Sequence, residues 1–142
     1  MIHPTAQIDE SVKMHPSVKV GAFCVIESGT IIEEGVVIQT HVSIGKNCHI
    51  HKNCVLKRNS ILTQQVEMME GVFFGTGAVT LGSDFDRLES HGTIIGKNCY
   101  IGAKALLFPK VSIVDGTVIG AGAIIRHPIM KKGTYVGLSR EI

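Results

Sequence analysis

The stretch Ile26-Glu27-Ser28-Gly29-Thr30-Ile31-Ile32-Glu33-Glu34-Gly35-Val36-Val37-Ile38 contains two copies of one six-residue unit. In each copy a large apolar residue (Ile26, Ile32) is followed three places on by Gly and four places on by a small or β-branched residue (Thr30, Val36). Stepping by six in both directions gives Ile2, Ile8, Met14, Val20, Ile26, Ile32, Ile38, Ile44, Ile50, Leu56, Leu62, Met68 and Phe74, every one large and apolar. A chain that is 44% hydrophobic does not produce such a run in one phase by accident, so the period is real. The register breaks after Phe74 and restarts at Ile95, running through Ile101, Leu107, Ile113, Ile119 and Ile125.

With the large residue called i, position i+4 is always small or β-branched, from Ala6 and Val12 to Thr117 and Ala123. Because i+4 lies two residues before the next i, both side chains point to the same side of a short strand and the residue between them faces out. Position i+3 is Gly or Asn in more than half of the hexads, which suits a corner with positive φ. Strand and corner alternating at this pitch predict a solenoid. Burying each i residue contributes roughly 1.5 to 3 kcal/mol, so the stack alone can hold the coils together.

This pattern resembles the hexapeptide-repeat superfamily over almost the whole chain. The resemblance implies an all-β fold: a single-stranded left-handed parallel β-helix of triangular section, one domain over residues 1–142. Residues 18 apart then stack, eighteen full hexads make about six coils, and one loop excursion at 81–92 interrupts them. Left-handedness comes from the resemblance, since parallel connections are in general right-handed.

The size, 142 residues and 15.3 kDa, fits one domain. A net charge of +2 with no basic stripe argues against nucleic acid as a partner. No apolar run reaches the length of a bilayer span and Met1 to Asp9 lacks a signal-peptide pattern, so no membrane association and a cytoplasmic location are the expectations. Pro128 to Ile142 shows no amphipathic period, so no C-terminal helix is expected.

The repeat accounts for most residues that would otherwise suggest chemistry. Cys24, Cys48, Cys54 and Cys99 all occupy the inward i+4 position, with no CxxC spacing, and read as core thiols. Among the outward positions, Val37, Val55 and Phe73 stack on one face, Val25, Ser43, Ile61 and Val79 on another, and Ile31, His49 and Glu67 on the third. Two mainly apolar columns and one polar one suit a prism with two faces against neighbours, and the family is commonly trimeric; a homotrimer with sites between subunits is expected.

Of seven histidines, His3, His15 and His51 are outward at i+1, His49 is outward at i+5, His41 lies at a corner, His91 in the loop and His127 after the last strand. A metal site would need three to converge, as across the subunit boundary of the γ-carbonic anhydrases, which share this fold. Only His49 and His51 lie close together, so no metal is expected.

Gly71-Val72-Phe73-Phe74-Gly75-Thr76-Gly77, then Ser83-Asp84-Phe85-Asp86-Arg87, resembles the stretch of the nucleotide-sugar N-acetyltransferases in which an Asn-Asp pair precedes Pro-Arg. Ser83 stands in place of that Asn and Asp86 in place of that Pro. Ile95-Gly96-Lys97-Asn98-Cys99-Tyr100-Ile101-Gly102-Ala103 and Val118-Ile119-Gly120-Ala121-Gly122-Ala123 are similar to the acetyl-CoA-binding coils of that group and of the sugar O-acetyltransferases. The closing Val136-Gly137-Leu138-Ser139 lacks their usual Gly-Asn-Pro-Ala.

The resemblance implies an acetyl-CoA-dependent acetyltransferase acting on an amino or hydroxyl group of a sugar, nucleotide-linked and on a route to surface polysaccharide. Acetyl-CoA is the cosubstrate. Its pantetheine arm needs small residues along a groove: Gly102, Ala103, Gly120 and Ala121 supply them, and Arg126, Lys131 and Lys132 meet the phosphates. Polar side chains in a loop thrown out from a rigid solenoid are placed to meet a ligand. Asp84 would orient an acceptor ammonium while His91 or solvent takes the proton, and a hydroxyl acceptor would promote His91 to the base. Asp86, Arg87 and Lys104 are the expected contacts to the acceptor. A zinc hydratase of the γ-carbonic anhydrase kind and a non-catalytic solenoid scaffold are the alternatives to a transferase.

Overall fold

The computed structural model describes residues 1–82 and 92–138. It is a left-handed parallel β-helix of about seven turns, one more than the hexad count suggested. Twenty two-residue strands run from Gln7–Ile8 to Thr134–Tyr135, and no helix occurs among the described residues, so none is long and apolar enough to cross a membrane. The strands form three parallel sheets of seven, six and seven strands, which are the faces of the prism. On the first face the outward residues include Val25, Ser43, Ile61 and Val79; on the second Ile31, His49, Glu67 and Ile94; on the third Val37, Val55, Phe73 and Tyr100. Pairing follows the 18-residue step, Gln7 with Val25 and Val37 with Val55.

The core is the i column with its i+4 neighbours. Ile26, Ile32, Ile38, Ile44, Ile50, Leu56, Leu62, Met68, Phe74, Ile95, Ile101 and Leu107 are the largest fully buried side chains. Every hexad from Val20 to Phe74 and from Ile95 to Ile119 takes a left-handed backbone at i+3, with φ between 56° and 76°. Asn47, Asn53, Asn59 and Asn98 take it as expected, but so do Phe23, His41, Gln65, Lys104 and Lys110, at a cost the core stack must offset. The corner is therefore imposed by the packing of the coils, and Gly and Asn only make it cheaper. At Gly35 an added Cβ would sit 2.2 Å from Asn53 Oδ1, because the Asn side chain of one coil covers the bare glycine of the coil before.

The break in register resolves differently from the simple count. Thr80 fills the i position after Phe74, fully buried, and its Oγ1 accepts from the Thr63 backbone N–H at 3.0 Å and contacts Thr63 Oγ1 at 3.1 Å. A hydroxyl with partners can stand where the code wants an aliphatic. Glu67 then pairs with Ile94, Phe73 with Tyr100 and Val79 with Leu106, each 27 residues on. One coil thus carries nine extra residues. The hexad code ends at Ile125, after which Ile129 bridges Ile113, Thr134–Tyr135 pairs with Val118–Ile119 and Leu138 bridges Ile124, so this irregular segment covers the edge of the last regular coil.

All four cysteines are buried and free. Each thiol donates to a carbonyl of the next coil, Cys48 to Thr63 at 3.0 Å and Cys54 to Met69 at 3.0 Å. Burial pushes both thiols up from 9.0 to about 11. The folded protein therefore resists alkylation at pH 8 until it unfolds. Because the folded value is the higher one, the contribution of these thiols to stability is complete below pH 9 and is lost as pH rises through about 11. A thiol-reagent time course with and without denaturant checks the first statement, and denaturant midpoints across that pH window check the second.

Candidate functional site

Gly102 and Gly120 follow the third-face strands and open the edge that leads to the first face, with Ala103 and Ala121 directly after them. Gly102 is buried, and its role is visible in what a side chain would meet: a Cβ would lie 2.5 Å from Ala121 N, 2.7 Å from Gly120 C and 2.8 Å from Ile119 O. Its bare backbone lets two coils close on each other. Ala103 and Ala121 are exposed and one coil apart, forming a shelf of two methyl groups on that edge, with Lys104 exposed beside them. The Ala103 carbonyl is drawn into the ladder, since Gly122 N–H donates to it at 2.8 Å.

The cationic residues expected at the cofactor phosphates lie on other edges. Arg126 follows the last first-face strand, toward the second face, with its guanidinium 6.0 Å from the Phe108 ring centroid. Lys131 and Lys132 are exposed, and the Lys132 side chain reaches Gly116 on the edge between second and third faces. One chain therefore gathers Gly102, Ala103, Gly120, Ala121 and Lys104 but does not bring Arg126 or the lysines to them. Asp84, Asp86, Arg87 and His91 lie outside the described residues. The described residues on either side are Gly82, against Thr63, and Gly92, where a Cβ would fall on the Gln65 carbonyl. Gly82 and Gly92 lie on the first-to-second edge, on which Arg126 also stands.

A constellation that a count of histidines alone misses is assembled on the second face. His49 and Glu67 share the outward column of that face, and Glu33 and His51 share the column two residues further along the strands. The four side chains sit on three consecutive coils. Along the diagonals His49 Nε2 lies 2.5 Å from Glu33 Oε2 and His51 Nε2 3.0 Å from Glu67 Oε2, and along the column His51 Nδ1 lies 3.0 Å from the same Glu33 oxygen. The two imidazoles stack, centroids 3.9 Å apart and 11° from parallel. The signal was in the sequence as a His-x-His on one strand flanked by Glu at the 18-residue step from each. His3 and His15 instead engage Thr5 and Ser17 in their own corners, and His41 lies 5.2 Å from the Phe23 ring.

The architecture and the repeat define a hexapeptide-repeat protein. Residues 1–80 match the family model described as the GMPPB C-terminal domain, and the chain belongs to that family. Residues 92–127 match the model described as the hexapeptide repeat of succinyl-transferase, so the two matches meet on either side of the interrupted coil. No curated protein matches the chain. Among solved structures, a variant of GDP-perosamine N-acetyltransferase from Caulobacter crescentus in complex with CoA and GDP-perosamine aligns over 96% of this chain and 52% of its own, at 18% identity and TM-score 0.65. The acetyltransferase domain of PglB from Neisseria gonorrhoeae in complex with acetyl coenzyme A aligns over 96% and 53%, at 21% identity and TM-score 0.64. An Arabidopsis UDP-N-acetylglucosamine acyltransferase aligns over 89% and 62%, at 15% identity and TM-score 0.62. The chain spans about half the length of the first two, and the likeness is one of fold.

Proposed function

We propose that the protein is an acetyltransferase that moves the acetyl group of acetyl-CoA to an amino or hydroxyl group of a nucleotide-linked sugar. The observation that carries this reading is the exposed Ala103–Ala121 shelf beside Lys104, on coils that are closed tightly by Gly102. An extended pantetheine arm can lie along such a shelf without meeting a side chain, and the charged head needs cations further out. Arg126, Lys131 and Lys132, which stand on other edges of the same chain, fit that need when a second subunit brings them alongside, so the site belongs between subunits of a homotrimer. The half-buried and exposed apolar columns of the first and third faces, including Ile61, Val118 and the stacked Phe73–Tyr100 pair, suit that assembly. The fold shared with the perosamine and PglB enzymes, both described with CoA or acetyl-CoA, supports the cosubstrate and the sugar class.

Attack on the thioester needs an acceptor held in line, a proton sink and a donor for the tetrahedral oxyanion. Asp84 orients an amine acceptor, His91 or solvent takes the proton, and Asp86 and Arg87 with Lys104 hold the acceptor and its phosphates. The test is release of free CoA thiol when the protein and acetyl-CoA meet GDP- and UDP-linked amino sugars. Turnover with at least one is expected, and Asp84→Ala is expected to lower kcat by about 100-fold or more. Full turnover of Asp84→Ala removes Asp84 from the mechanism; no turnover with any sugar favours the second reading. That reading is a non-catalytic hexapeptide-repeat scaffold, favoured by the separation, within one chain, of Arg126 and Lys132 from the edge that carries Ala103 and Ala121.

A further inference from the structure

We propose that Glu33, His49 and His51 form a binding site within one chain for a divalent ion of the zinc, cobalt or nickel class. One oxygen and two nitrogens of these residues lie within 4.8 Å of one another. Two imidazoles and a carboxylate are the donor set that suits late first-row ions and disfavours magnesium and calcium. The site is independent of acetyl transfer, lying on the second face rather than on the edge that carries Ala103 and Ala121.

Three features mark it as a built site rather than three neighbours on a crowded surface. The first is spacing. Around zinc, with bonds near 2.0 to 2.1 Å, tetrahedral donors stand about 3.3 Å apart. Glu33 Oε2 is 2.5 Å from His49 Nε2 and 3.0 Å from His51 Nδ1, so an ion must open the first contact by about 0.8 Å and the second by about 0.3 Å, shifts within reach of side-chain rotation.

The second is support. Ligating histidines characteristically hand their other ring N–H to a carboxylate, and Glu67 Oε2 stands 3.0 Å from His51 Nε2. That contact fixes the tautomer in which Nδ1 faces the ion.

The third is mounting and access. All four side chains project from two-residue strands and their ends in a continuous parallel sheet over the buried column Ile32–Ile50–Met68, so their backbones are held by neighbours above and below. The side chains of Glu33, His49 and His51 stay 22% to 36% exposed, and Glu33 also lines an open groove with Lys13, His15, Ile31 and Lys52. An ion can enter, and three protein ligands leave a coordination position for water or a small anion.

The experiment uses the full chain without an affinity tag, stripped with chelator and returned to chelator-free buffer, then titrated with cobalt(II) and with zinc(II). Binding near one ion per chain is expected, with the visible cobalt absorption of a four- or five-coordinate site. His51→Ala and Glu33→Gln are expected to abolish that absorption. Glu67→Gln is expected to weaken binding about 10- to 100-fold, and the surface variant His127→Ala to leave it unchanged. Circular dichroism of each variant keeps folding separate from ligation. Cobalt or zinc binding no tighter than that of magnesium overturns the proposal, as does wild-type cobalt absorption in a folded His51→Ala protein.

Discussion

Phe74→Ala is expected to lower the free energy of unfolding by about 3 to 5 kcal/mol, a large share of the stability of a domain this size. Phe74 is fully buried at an i position, between Leu56 and Ile101 in the column behind the third face. It is also the last large apolar residue at an i position before the nine extra residues, since Thr80 takes the next i position. Coils cannot slide to fill the gap, because each is tied to its neighbours by backbone hydrogen bonds on three faces. The cavity therefore persists, and the loss sits at the top of the range for such truncations. Phe73→Ala, one residue earlier and outward, removes only a half-buried ring stacked on Tyr100 and is expected to cost the single chain much less, so the pair of variants separates core from surface. Equilibrium denaturation of both, read as midpoint and slope, checks the difference; equal losses would mean that the inward and outward sides of this strand have been assigned wrongly.

Ala121→Trp is expected to leave folding intact and to weaken acetyl-CoA binding by at least 100-fold. The side chain at 121 is exposed and its neighbour one coil back is Ala103, so an indole there occupies the shelf without meeting the core. Gly102→Val is the complementary variant: its branched side chain would be driven against Ala121 N and Gly120 C, and it is expected to lose stability along with binding. A calorimetric titration next to a thermal melt reads both quantities. If Ala121→Trp binds like the wild type, the third-to-first edge is not where the cosubstrate lies.

Most of the solenoid was legible because one six-residue code states strand, corner and core together. Ile26, Ile32 and Ile38 point inward for the same reason that Gly29 and Gly35 turn the chain, and each neighbouring hexad repeats the instruction. Two places escaped it for physical reasons. Thr80 satisfies its hydroxyl against Thr63 and so holds a core position that an apolar code does not recognise, which makes the register read as broken one hexad before the excursion at 81–92. The segment after Ile125 closes the edge by bridges with irregular steps, which no period announces. The site was less legible. Small residues at 103 and 121 could be placed on one edge from an 18-residue step, yet the sequence does not say that Arg126 and Lys132 stand on different edges. The Glu33–His49–His51–Glu67 lattice obeys the same 18-residue step, but it shows only when carboxylates are counted beside the histidines.

The central claim, that this β-helix is built to hold acetyl-CoA, is tested most directly by isothermal titration of the purified protein with acetyl-CoA and with desulfo-CoA. Saturable binding near one site per chain, lost in a folded Ala121→Trp variant, is the predicted result. Absence of binding to either ligand, alone and again in the presence of GDP- and UDP-linked amino sugars, would contradict it.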